Sequence, residues 1–218
     1  MGRPLAVVPV VSATHFREVS AMSTPPRILV IAATARELAA GDGWTGVTCG
    51  VGPVEAAVVG ARAIAQHRPD VVLQVGIAGA RRHRALPPGT LVVGTRSLYT
   101  DLGALPAEWA VRDLPAPESL VRAVCGAFPD AVALPIGTSA RVGGTTGCEV
   151  EAMEGFGVLR AAHAAGIPAL EVRAISNDIE EEDRAHWHFA RAFEAITSAT
   201  PRLVSAVAAA LGERPAHA

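Results

Sequence analysis

Residues 27–33 (RILVIAA) and 70–75 (DVVLQV) are apolar at nearly every position rather than at every second one. A strand with one wet face alternates, whereas a strand covered on both faces need not. These runs therefore read as interior strands of a sheet sandwiched between two layers. The segment between them is of a different kind. After a strand at 45–51, the stretch GVGPVEAAVVGARAIAQH turns on Gly50 and Gly52 and then carries apolar residues at helical spacing. Pro53 suits the first helical position, where its missing N–H would have had no partner.

The same alternation continues along the chain. Gly76 and Gly79 are expected to end the 70–75 strand, 89–99 reads as the next one, and 131–142 holds one or two more. Residues 151–166 read as a helix and 169–176 as a strand. The tail over 183–211 is helical in composition, with Pro201 expected to divide it. Strands alternating with helices predict an α/β fold: one domain over 27–218, with a mixed central sheet flanked by helices. At 218 residues the chain can bury one substantial core. Residues 1–26 are read separately, as a flexible N-terminal extension, because Pro4 and Pro9 break their apolar stretch and MSTPPRILVIAAT resembles a fresh start at Met22.

Net charge excludes some partners. At −2 there is no electrostatic footprint for nucleic acid or an anionic membrane. No apolar run reaches the roughly 18–20 residues of a membrane span. Cys49, Cys125 and Cys148 are odd in number and scattered, which fits neither a disulfide framework nor a zinc site. His186 and His188 are two apart, a spacing that does not face one ion from a helix. A cytoplasmic protein without metal or other cofactor is expected.

Ligands in α/β sheets sit at the carboxyl ends of strands. Four such ends carry notable residues, at 33–37, 50–53, 76–79 and 176–178. Taken in order with EAMEGFGV at 151–158, they resemble the purine and uridine phosphorylase superfamily over about 27–211. The resemblance is closest to its hydrolytic branch, which includes the methylthioadenosine/S-adenosylhomocysteine nucleosidases. Met153-Glu154-Gly155-Phe156, Ile175-Ser176-Asn177 and the downstream Asp183, Arg184 and Trp187 look most like the futalosine hydrolases, which remove hypoxanthine from futalosine in menaquinone biosynthesis. The resemblance implies a nucleoside phosphorylase-like three-layer fold, a small nucleoside substrate and a homodimer or larger homo-oligomer.

It also implies roles. Cleaving a purine N-glycosidic bond builds positive charge on the sugar and negative charge on the base, so water must be oriented, the ribose gripped and the base stabilised. Glu154 would grip the ribose hydroxyls over an apolar floor at Met153, and Glu37 would hold and deprotonate water. The phosphorylases place phosphate-binding arginines near Glu37 and Gln74, and this chain lacks both, which favours water over phosphate. Gly76, Ile77, Ala78 and Gly79 would approach the substrate through their backbone. Phe156 is the candidate to stack on the base, and Gly143-Gly144-Thr145-Thr146 stands where the base-contacting loop should be. Arg81–Arg84 are expected to be solvated, and Trp187 to pack the closing helix.

Asn177 stands where adenine-specific relatives have aspartate. Hypoxanthine presents two acceptors, N7 and O6, and an amide NH₂ can serve that edge, so Asn177 reads as a selector for a 6-oxopurine. Asp178 should face the other way. Three readings stay open beside this one: a nucleosidase releasing adenine, from methylthioadenosine, S-adenosylhomocysteine or aminodeoxyfutalosine; a phosphorylase; and a non-catalytic nucleoside-binding protein.

Overall fold

The computed structural model describes residues 24–103, 106–144 and 147–212. The extension expected over 1–26 lies, up to residue 23, outside them, as do Thr145 and Thr146. Eight strands form one sheet: β1 Ile28–Ala32, β2 Thr45–Thr48, β3 Val71–Ala80, β4 Leu91–Tyr99, β5 Asp113–Pro115, β6 Val132–Thr138, β7 Val150–Ala152 and β8 Ala169–Asp178. Four helices cover it: α1 Pro53–His67, α2 Glu118–Ala127, α3 Gly155–Ala164 and α4 Phe189–Gly212.

The wholly apolar strands behave as their composition requires. In β1, Ile28, Val30 and Ala32 face one core with α2 and α4, while Leu29 and Ile31 face another with α1 and α3. Two glycines of the EGFG stretch let α3 settle between its neighbours. A methyl at Gly155 would fall on the Glu171 carboxylate, and one at Gly157 would strike the Pro53 carbonyl at the start of α1.

The sheet is mixed and partly closed on itself. β3 pairs with β8 in parallel, β8 with β4 antiparallel, β4 with β6 and β6 with β7 in parallel, and β7 returns antiparallel to β3. Ala78, Val92, Ile136, Val150, Ala152 and Ile175 form a third, small core on this five-strand circuit. β1 and β2 extend the sheet from β3, and β5 extends it from β4.

Several expectations are corrected. β3 does not stop at Gly76 but runs on to Ala80, because β8 pairs with it throughout, with a register shift between Ala78 and Gly79. The helix expected from 151 starts at Gly155, since Val150–Ala152 is taken up as a strand between β3 and β6. Residues 34–37, after β1, form a turn closed by Glu37 N–H donating to the Thr34 carbonyl. Pro201 does not divide α4. Interior proline costs about 3 kcal/mol or more, but Pro201 faces solvent. Ile196, Leu203 and Val207, buried on both sides of it, each contribute about 1.5–3 kcal/mol. α4 is also long and apolar enough by composition to cross a membrane, yet its buried face packs against the sheet and α2.

Candidate active site

The carboxyl ends of β1, β3 and β8, with β7 and the start of α4, enclose a cavity of about 420 Å³. That is within the usual range for a small-molecule site. Glu37, Ile77, Ala78, Met153, Glu154 and Asn177 line it. The family resemblance read from the sequence grouped all six, and the fold brings them together from four separate segments.

Glu37 is 4% exposed and fixed at both oxygens. One accepts from the Thr34 N–H at 2.9 Å and the Thr34 hydroxyl at 2.8 Å, the other from the Ile77 N–H at 3.2 Å. Glu154 stands at the N-cap position of α3, and its side chain turns from the helix to accept from the Gly52 N–H at 3.2 Å and from Arg173 Nη1 at 3.2 Å. Gly52 adopts φ +99°, a conformation that aims this N–H at a carboxylate with little steric cost.

Arg173, which the sequence reading passed over, binds these acids together. Its side chain is 1% exposed, donating from Nε to Glu171 at 2.9 Å and from Nη1 to the Ile77 carbonyl and Glu154 at 3.2 Å each. Burial works against its charge, but Glu171, Glu154 and Glu37 outweigh that and hold its pKa above the usual value. Glu171, beneath the cavity, is pushed upward chiefly by burial, although Arg173 and the Ser97 hydroxyl favour its ionised form. Gly76 does not line the cavity. It is the point where the two charges meet, since a methyl there would lie 2.5 Å from Arg173 Nη1 and 2.8 Å from Glu37 Oε1. Beneath Glu37 and Glu154, Cys49 stays a neutral thiol, its pKa raised to about 12 by burial and then by Glu154.

The amide of Asn177 has a defined orientation. The Asp178 carbonyl, 2.8 Å away, can only accept, so it must face Nδ2, and Oδ1 then takes the Ser176 hydroxyl at 2.7 Å. One N–H remains for a ligand. Asp178 turns away and pairs with Arg82 at 3.1 Å. Arg81 reaches Glu180, and His83 and Arg84 reach Glu149, so this basic cluster is tied up in ion pairs outside the cavity. Gln74 is wholly buried, below the cavity rather than in it.

Phe156 is a correction. It does not line the cavity; its ring stacks on Tyr99 at 5.3 Å within the α1–α3 core, because the first turn of α3 points it beneath the sheet. The aromatic wall is built instead from Trp187, Phe189 and Phe193, with successive ring centroids 5.4 and 6.1 Å apart. Arg36 lies over Phe193 at 4.4 Å and so backs this wall. Trp187 was expected only to pack the closing helix; it does anchor that segment, donating to the Glu181 carbonyl, and it also faces the cavity. Among the described residues no group of three or more His, Cys, Asp or Glu is placed to hold a metal.

Chemically, the cavity offers a fixed carboxylate, a second carboxylate beside a methionine, an amide donor and an aromatic wall. That set can hold a polar sugar against one acid and a flat base against the other side.

Comparison with known proteins gives the family and the fold. The phosphorylase superfamily matches residues 32–210. Futalosine hydrolase of Streptomyces coelicolor is 40% identical over 187 residues, covering 74% of this chain and 79% of its own. The Thermus thermophilus futalosine hydrolase is 29% identical over 189 residues, covering 76% and 83%. Among solved structures, a 5′-methylthioadenosine/S-adenosylhomocysteine nucleosidase from Colwellia psychrerythraea, in complex with adenine, superposes with a TM-score of 0.71 at 20% identity over 86% of this chain and 96% of that one. A futalosine hydrolase of Helicobacter pylori does so with 0.69 at 15% identity over 84% and 97%.

Proposed function

The chain belongs to the phosphorylase superfamily, and we propose that within it the protein is a nucleosidase that hydrolyses the N-glycosidic bond of futalosine, releasing hypoxanthine in menaquinone biosynthesis. The observation that carries this is the clamp on Glu37. Three donors hold its carboxylate at the cavity wall, beside Arg173, whose charge is already shared among three acids. A phosphate entering here would meet the Glu37 and Glu154 carboxylates, while Arg173 is bound to Glu154 and Glu171 and Arg184, at the cavity lining, lies over the Trp187 ring. Water meets a base.

The steps follow from the positions. Glu154 accepts from the ribose hydroxyls and favours the positive charge that develops on the sugar, with Met153 as the apolar floor. Glu37 orients the water and takes its proton as the oxygen bonds to C1′. The bond from C1′ to the base breaks, and its electron pair leaves with the purine. The remaining N–H of Asn177 donates to the N7/O6 edge and stabilises that charge. Trp187, Phe189 and Phe193 supply the apolar wall.

The exposed Val51, Val54 and Val58 form an apolar strip beside the cavity, with Val51 at its rim. This supports a homodimer or larger homo-oligomer with the strip at its interface. Net charge of −2 supports small-molecule partners rather than nucleic acid or an anionic membrane, and three scattered free cysteines support a cytoplasmic protein.

The test is to incubate the protein in phosphate-free buffer with futalosine, inosine, methylthioadenosine and aminodeoxyfutalosine, and to separate the free bases by chromatography. Hypoxanthine from futalosine is the expected result. Adenine release would transfer the assignment to the adenine nucleosidases, and turnover only after phosphate is added would make the protein a phosphorylase.

A further inference from the structure

One buried acid in the cavity has no part in the chemistry above. Glu151 is 6% exposed, lies on β7 two residues before Met153 and lines the same cavity as Asn177. We propose that Glu151 is a second base-recognition residue, accepting the N1–H of a 6-oxopurine across the gap left by Gly79. This deepens the proposed function and rests on it.

The sheet register carries the idea. Gly79 of β3 is paired with Glu151 on one side and with Asn177 on the other. Residues paired across strands project to the same face, so these three form one row, with the outer two about 10 Å apart, twice the strand spacing. The side chain of Asn177 does lie on the Gly79 face, its Nδ2 being 3.1 Å from where a methyl on Gly79 would stand. A glycine in the middle of the row leaves a narrow slot at the cavity lining, over which the Asn177 amide and the Ile179 side chain lean, with the Glu151 carboxylate on its other side.

The donors and acceptors of that slot fit a 6-oxopurine. Its N7 and O6 accept, matching the N–H of Asn177, while N1 carries a proton and donates. An ionised carboxylate only accepts. Adenine reverses the last position, because its N1 is an acceptor and would face the carboxylate lone pairs. Gly143 N–H donates to Glu151 Oε1, which steadies the carboxylate, and a carboxylate has acceptor positions for more than one donor. Asn177 and Glu151 would thus read two edges of one base, where Asn177 alone reads only one.

The test compares futalosine with aminodeoxyfutalosine, which differ only at the base, in the wild type and in Glu151→Gln. The amide side chain keeps the size and an oxygen for Gly143, but brings a donor that suits adenine N1. We expect kcat/KM for futalosine to fall about 10–100-fold while that for aminodeoxyfutalosine is held or rises, the cost of mispairing one buried group. Equal losses on both substrates would mean that Glu151 only holds the backbone at Gly143, and would overturn the proposal. Calorimetry on the unmodified protein gives an independent reading: 1-methylhypoxanthine should bind at least tenfold more weakly than hypoxanthine, and equal binding would overturn it too. A wild type that frees no hypoxanthine from futalosine overturns the functional reading itself. Hypoxanthine release with an unchanged base preference in Glu151→Gln overturns only the role of Glu151.

Discussion

Glu171 and Arg173 stand two residues apart on β8 and share a 2.9 Å hydrogen bond where each side chain is only 1% exposed. Alternation along a strand puts both on one face, beneath the cavity rather than in it. Their pairing lets a guanidinium remain charged under Glu37 and Glu154, so the acids of the site rest on an electrostatic support built into the sheet.

Removing that support should be costly. Arg173→Met leaves buried carboxylates without their cation, and stability should drop by about 3–5 kcal/mol, read as a lower urea midpoint. Arg173→Lys should recover little of it, because an ammonium lacks the planar fork that reaches Glu171, Glu154 and the Ile77 carbonyl together.

Glu171 gives a pH dependence of definite sign. Burial raises its pKa above 4.5 in the folded chain, so above that pH the unfolded chain gives up the proton first. The folded state then holds more protons, and stability falls as pH rises from about 4.5 through the raised value. Glu171→Gln should flatten that part of the stability curve, measured by urea unfolding at a series of pH values.

Glu37→Gln should lower kcat about 10²–10⁴-fold, the usual worth of a general base, with KM nearly unchanged. All three groups around Glu37 are donors. The amide nitrogen of glutamine must therefore face one of them, and thermal unfolding should show a loss of about 1–3 kcal/mol.

Asn177→Asp should weaken turnover of hypoxanthine nucleosides and improve that of adenine ones. A protonated aspartate pairs one donor with one acceptor, which matches adenine N7 and its amino group. Steady-state kinetics on both substrate classes decides this, and equal losses on the two would remove Asn177 as selector.

The two phenylalanines should separate stability from binding. Phe156→Ala opens a hole against Tyr99 and should cost about 3–5 kcal/mol, with KM little changed. Phe193→Ala, at the half-buried cavity wall, should raise KM about 2–10-fold with a smaller loss of stability. Denaturation and kinetics on both variants test the assignment of the aromatic wall.

The interior strands and α1 were legible in the sequence because short-range rules act there: apolar runs and a proline at a helix start. Polar residues at strand ends marked Glu37 and Asn177, whereas Glu154 was grouped with them only through the resemblance to the family. What was missed depends on long-range pairing. Nothing local distinguishes Val150–Ala152 from the first turn of a helix; only β3 and β6 on either side make it a strand. Phe156 and Phe193 are the same residue type, and the fold alone decides which one meets the cavity. Arg173 did leave a trace, since Glu171 and Arg173 alternate within an otherwise apolar strand, the pattern of two opposite charges buried on one face. The segment over 100–130, containing β5 and α2, was passed over, although Leu120 and Val124, buried one turn apart on α2, carry a helical period.

The circuit from β3 through β8, β4, β6 and β7 back to β3 has a kinetic consequence. A sheet with a free edge can loosen one strand at a time, but each strand of this ring is bonded on two sides, and spreading it would break ladder bonds in both directions. A bound base and sugar cannot leave by deforming the platform on which they rest. Traffic must instead pass the connections around the rim, at 141–144 and 180–187, which lie outside the strands. The ring therefore sets the geometry of the bound state, while these two connections set how quickly the base and sugar escape.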